Sequence, residues 1–92
     1  MEKKFSELCA KYSLPYRYVG DGQIWINKKN PDFINTNGKK QLVEILGRHW
    51  HKESETAERV AHYKRYGFDC ITIWEEELEN EAVVLSKIGG AL

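Results

Sequence analysis

Apolar residues recur at helical spacing over the first twelve positions. Phe5, Leu8, Cys9 and Tyr12 stand at i, i+3, i+4 and i+7, which predicts a helix with one buried face, ending before Pro15. Glu2 falls on that same face, where a carboxylate either complements the helix dipole or is aimed into a site. The period then shortens. Residues 16–19 and 24–26 flank a Gly20-Asp21-Gly22 turn and predict two short strands joined as a hairpin. Residues 32–35 and 40–46 predict two more, joined around Asn37-Gly38, a strong hairpin dipeptide. Residues 52–68 read as a helix with Ser54 as N-cap, Val60 and Tyr63 turned inward and Gly67 as its stop. Residues 69–74, β-branched and apolar on both faces, predict a central strand covered on both sides. Residues 78–88 read as a closing helix.

The order α-β-β-β-β-α-β-α predicts an α/β fold with a mixed β-sheet flanked by helices. One domain is expected over residues 1–88, with 89–92 as a flexible end or linker. At 92 residues the chain can bury one modest core without disulfides or a structural metal. No apolar run approaches the ~20 residues that span a bilayer, and the N-terminus lacks a signal peptide's apolar stretch, so a cytoplasmic location is expected. Cys9 and Cys70 form no CxxC pair, and buried thiols are the expectation.

Charge changes this picture in one respect. The net charge is zero, yet residues 1–74 hold 13 Lys/Arg against 9 Asp/Glu, and residues 75–92 hold 1 against 5. The first part can face a polyanion and the tail cannot. The excess is small for a free-standing sequence-specific DNA binder, so affinity for nucleic acid would be drawn partly from elsewhere.

Two carboxylates stand out as candidate chemistry. Asp32 follows Asn30-Pro31 at a strand start, and Glu44 interrupts the apolar run Gln41–Leu46, where a lone carboxylate is costly unless paired or metal-bound. Together they suggest a site for a hard divalent cation such as Mg²⁺. Their relative direction depends on the turn. A two-residue Asn37-Gly38 loop would set Thr36 against Lys39 and Asp32 against Val43, sending Glu44 to the other side; a backbone carbonyl near Ile45 is then the natural second ligand. A three-residue loop with a glycine bulge would put Asp32 on one face with Leu42 and Glu44. His49 and His51 project to one side of an extended segment, with Trp50 opposite. A histidine beside a carboxylate-bound metal is suited to deprotonating water. Glu55, Glu58 and His62 stack at i, i+3, i+7 on the next helix and either orient that histidine or form a solvated face.

With these residues in view, the chain resembles the very-short-patch-repair (Vsr) endonucleases and the Vsr-like homing-endonuclease catalytic domains of the PD-(D/E)XK nuclease superfamily. The likeness runs through "EKKF" and "LPYR", then "NPDF", "GRHWH" and "RYGFDCITIWEEEL". It implies a restriction-endonuclease-like core. It also implies a metal-binding aspartate at Asp32, a general base at His51, Glu2 acting on the metal through water, and a second metal contact from the Ile45 backbone carbonyl, which weakens the claim of Glu44. The acidic residue that supports the histidine falls at Thr56 by strict spacing, leaving its neighbours Glu55 or Glu58 to serve.

The resemblance implies Mg²⁺ as cofactor and DNA as partner. Lys52 and Glu76 stand where the repair enzymes carry zinc ligands, so no structural zinc is expected. His49 replaces the aromatic before Trp50 and a mismatch-wedging segment is missing. This points from mismatch repair toward a catalytic domain brought to DNA by a recognition module outside this chain. Lys28, Lys29, Lys39, Lys40 and Arg48 are the expected phosphate contacts, and Trp50 either stacks against DNA or packs. A homodimer is left open. The expected function is therefore a Mg²⁺-dependent DNA endonuclease that nicks or cuts both strands. The alternatives are a nuclease-fold module that binds nucleic acid without cutting it, and a protein-interaction domain using the acidic tail.

Overall fold

The computed structural model describes residues 2–47 and 53–89. Helix α1 (Glu2–Tyr12) buries Phe5, Leu8 and Cys9, as its periodicity requires. Tyr12, at the end of the stripe, is partly exposed and its hydroxyl donates to Glu81. Ser13 takes a left-handed conformation and Leu14 N–H returns to the Cys9 carbonyl at 2.9 Å, which stops the helix ahead of Pro15.

Four strands follow: β1 (Tyr16–Tyr18), β2 (Phe33–Asn35), β3 (Gln41–Leu46) and β4 (Asp69–Trp74). They form one sheet in the order β1-β2-β3-β4. The first three run antiparallel, whereas β4 joins β3 in parallel after the crossover helix α2 (Glu53–Arg65). The mixed sheet flanked by helices is the architecture that the element order predicts. One face carries α1 and α3 (Glu81–Gly89), packed on a cluster that includes Phe5, Phe33, Val43, Ile45, Ile73, Val84 and Ile88. The other face meets α2 through Leu42 and Tyr63, with Ile34, Phe68 and Cys70 around them.

Four local expectations are corrected. Residues 24–26 are not a strand, because β1 takes β2 as its partner. The Asn30 amide instead donates to the Val19 and Ile24 carbonyls at 2.8 and 2.7 Å, satisfying them without a ladder. Strand β4 lies at the sheet edge rather than its centre, and only Ile73 along it is fully buried. Ser54 lies inside α2, which begins by Glu53. The closing helix starts only at Glu81, since a 3₁₀ turn (Glu75–Glu79) intervenes, held by Glu77 accepting the Trp74 N–H at 2.8 Å and the Lys87 ammonium at 2.7 Å. Gly67 does end α2: its φ is +84°, and the Phe68 and Gly67 N–H groups return to the Tyr63 and Lys64 carbonyls in a Schellman motif.

Candidate active site

Asp32 sits one residue ahead of β2, behind the buried Pro31. Its backbone carbonyl accepts the Val19 N–H at 2.7 Å, and its side-chain Oδ2 accepts the Ile45 N–H at 2.8 Å. The carboxylate therefore takes the place of a further β2 residue beside β3. A strand residue sends its N–H and C=O toward the same edge, so the Ile45 carbonyl shares the edge on which Asp32 stands.

The loop is longer than either that the turn suggested. The register puts Asp32 on one face with Leu42 and Glu44, as the glycine-bulge alternative expected, and not with Glu44 on the other side. Phe33 pairs with Val43 and Ile34 with Leu42, so one further step sets Asp32 across from Glu44. The cause lies at the other end of the hairpin, where the connection runs from Thr36 to Lys40. Asn35 Oδ1 accepts the Asn37 and Lys39 N–H groups, and its Nδ2 donates to buried Gln41, which also accepts from Tyr16. These bonds hold a longer loop than Asn37-Gly38 alone would make.

Glu44 is 1% exposed and both of its oxygens are engaged: Oε2 by Arg59 at 2.7 Å and Oε1 by the Tyr63 hydroxyl at 2.8 Å. Burial and the charge of Asp32 push its carboxyl up to about 7, against the pull of Arg59 and Tyr63. Burial and the facing Glu44 raise Tyr63 well above the ordinary phenol range, which keeps its hydroxyl a donor. The sequence shows that Glu44 needs a partner but does not identify Arg59. The i, i+4 spacing of Arg59 and Tyr63 on α2 was the available signal.

Glu2 opens α1, and it lines a shallow cavity with Lys3, Ser6 and Tyr18. Tyr18 is a site neighbour that sequence reasoning missed. Its ring meets Phe33 edge-on at 5.6 Å and lies so close to Gly20 that a Cβ there would sit 2.7 Å from it. Partial burial, then the charges of Glu2, Asp32 and Asp21, raise the Tyr18 hydroxyl's pKa, so both candidate carboxylates act on this one group.

Glu55, Glu58 and His62 line one open groove with Lys29, Arg59 and Arg65. His62 does not turn to Glu58; its Nε2 donates to the Ile26 carbonyl at 2.9 Å, tying the β1–β2 connection to α2. Thr56 is half-buried while Glu55 and Glu58 are exposed. Lys28 and Lys29 belong to the same connection. Lys39 and Lys40 precede Gln41 and so lie at the opposite end of β3 from Ile45, roughly 16 Å away at the ordinary strand rise. Arg48, His49, Trp50, His51 and Lys52 lie outside the described residues. The described residues flanking them, Gly47 and Glu53, continue from the Ile45 end of β3 and open α2.

A hard cation such as Mg²⁺ takes oxygen ligands and is commonly held by one or two carboxylates with water. Asp32 and the Ile45 carbonyl fit that donor set, with Glu2 near enough to influence the same tyrosine. Glu44, held by two donors, does not offer itself as a ligand. Among the described residues no group of three or more His, Cys, Asp or Glu side chains converges as a metal cage would require. Burial raises Cys9 to about 11 and Cys70 to about 12, which leaves both as thiols.

The structure can be superimposed on a solved one, the catalytic domain of the homing endonuclease I-Bth0305I, with a TM-score of 0.73. The match covers 96% of this chain and 88% of that domain, at 20% sequence identity. The fold is that of a homing-endonuclease catalytic domain. No family model matches the sequence, and no curated protein does.

Proposed function

We propose that this protein is a Mg²⁺-dependent DNA endonuclease of the Vsr-like branch of the PD-(D/E)XK nucleases. The observation that carries the reading is the Asp32 carboxylate clamped on the Ile45 N–H beside the end of β3, within the fold of a homing-endonuclease catalytic domain. Asp32 and the Ile45 carbonyl would hold the cation, and Glu2 would act on it through water. When bound, Mg²⁺ supplies Lewis-acid polarisation of the scissile phosphate and a charge partner for the leaving oxygen.

The chain's own groups do the rest. His51 takes the proton from the attacking water, supported by Glu55 or Glu58. The Ile45 N–H fixes the direction of the Asp32 carboxylate. The Glu44–Arg59–Tyr63 contacts lock α2 to β3 and so set where the helix begins relative to Asp32. Lys28, Lys29, Arg48, Lys39 and Lys40 supply phosphate contacts along a stretch of backbone. The small basic excess of residues 1–74 supports delivery to DNA by a separate recognition module.

The test is plasmid nicking with and without Mg²⁺. Asp32→Ala and His51→Ala should each abolish cutting while circular dichroism stays unchanged. Cutting that survives exhaustive chelation, or either variant cutting like the wild type, overturns the proposal.

A further inference from the structure

The β1–β2 connection, residues 19–32, is a closed loop with its own internal bonding. Its ends meet at Asp32, whose carbonyl accepts the Val19 N–H, and Asn30 binds both sides of it. The Asn30 amide donates to the Val19 and Ile24 carbonyls, and its Oδ1 accepts the Gly22 N–H at 3.2 Å. Farther out, Asn27 and Lys28 both adopt left-handed conformations in a tight turn closed by Ile26 and Lys29. Such backbone is costly away from glycine and persists where its surroundings over-determine it. The His62–Ile26 bond and a contact between Asn27 and the Tyr66 hydroxyl anchor this turn on α2 and the turn that ends it.

What this rigid loop displays is Trp25, 62% exposed. The indole is not loose: its N–H donates to the Gly22 carbonyl at 3.0 Å, which fixes the ring while leaving much of it in solvent. Residues 16–30 contain Arg17, Lys28 and Lys29 against the single acid Asp21, in a chain with no net charge. A pre-oriented aromatic ring on a segment with a basic excess fits the chemistry of nucleic acid, whose bases stack on aromatic rings while lysines follow the phosphates.

We infer that Trp25 is a base-stacking contact for DNA, with the loop as its rigid mount. The inference rests on the nuclease reading for its choice of DNA as ligand, but its test requires no cutting. Binding of a fluorescein-labelled single strand and of the corresponding duplex is measured by anisotropy in chelator. Trp25→Ala should weaken single-strand binding by about 5- to 150-fold, the range for one lost stack, while Trp25→Phe retains most of the affinity. The salt slope should be unchanged in both, whereas Lys28→Gln or Lys29→Gln should reduce it by about one unit. Wild-type tryptophan fluorescence should be quenched by the strand more than that of Trp25→Phe.

Wild-type affinity in Trp25→Ala with circular dichroism intact overturns the inference. So does a change in self-association by sedimentation with DNA binding unaltered, which would make Trp25 an interface residue, or a wild type that binds neither DNA. Failure of Mg²⁺-dependent nicking with the Trp25 dependence intact would remove the nuclease reading and leave this one standing.

Discussion

On one face of the sheet, Phe5, Phe33, Val43, Ile45, Ile73, Val84 and Ile88 close against α1 and α3 as a cluster of apolar side chains. On the other, Leu42 and Tyr63 share the space beneath α2 with the Glu44–Arg59 pair. The first face gains stability from transfer out of water and close packing. The second gives up part of that gain to hold a charged pair, which is a poor route to stability but fixes direction and register. The polar face is the one whose strand ends beside Asp32. Stability and positioning are thus assigned to opposite sides of one four-stranded sheet.

The largest test of this contrast is Phe33→Ala on the apolar face, expected to cost about 3–5 kcal/mol in urea unfolding, since the ring is buried and packs edge-on against Phe5 at 4.7 Å. Glu44→Ala should cost less, about 2–3 kcal/mol, because it orphans Tyr63 and Arg59 but Arg59 retains some water. Glu44→Gln should cost about 1 kcal/mol, as the amide replaces a carboxyl already inclined to hold a proton. Equal losses for Glu44→Ala and Phe33→Ala would erase the distinction between the faces.

The two sides should also differ in the sign of their pH dependence. The Glu44 carboxyl is raised on folding, so its contribution is fully present below about 4.5 and is lost as the pH rises through about 7. Glu77 behaves oppositely. Burial alone would raise it, but the Lys87 ammonium and the Trp74 N–H outweigh that and hold it below its usual range. Its contribution is present above the unfolded value and lost as the pH falls through the folded one. Unfolding measured across pH for Glu44→Gln and Glu77→Gln should flatten slopes of opposite sign, and like signs would contradict the assignment. The smallest effect is expected at the exposed Lys64–Asp69 pair, where Lys64→Ala should change stability by no more than about 0.5 kcal/mol.

Periodicity made α1, α2, β2 and β3 legible, because each buries one face at its own repeat. Residues 24–26 looked like a strand by composition, yet a single side chain, Asn30, takes over the carbonyls that a ladder would use. The choice of hairpin register was hidden for a similar reason: Asn35 and Gln41 fix it through side-chain bonds that no turn dipeptide announces. Asp32 was legible as a residue at a strand start, but its bond to the Ile45 N–H was not, since that follows from the register. Glu44 was legible as a problem, and its solution, Arg59, waits on how α2 crosses the sheet.

The parallel ladder from Gln41–Asp69 to Leu46–Trp74 has a kinetic consequence. Every pair in it is separated along the chain by the whole of α2 and its connections, so the ladder cannot zip outward from a short connection as β2 and β3 can. The entropy of closing that long segment must be met before any β4 pair forms, and such non-local pairing is slow. Strand β4 should therefore dock late, with hydrogen-exchange protection of the Asp69–Trp74 amides appearing after that of the β2–β3 hairpin during refolding.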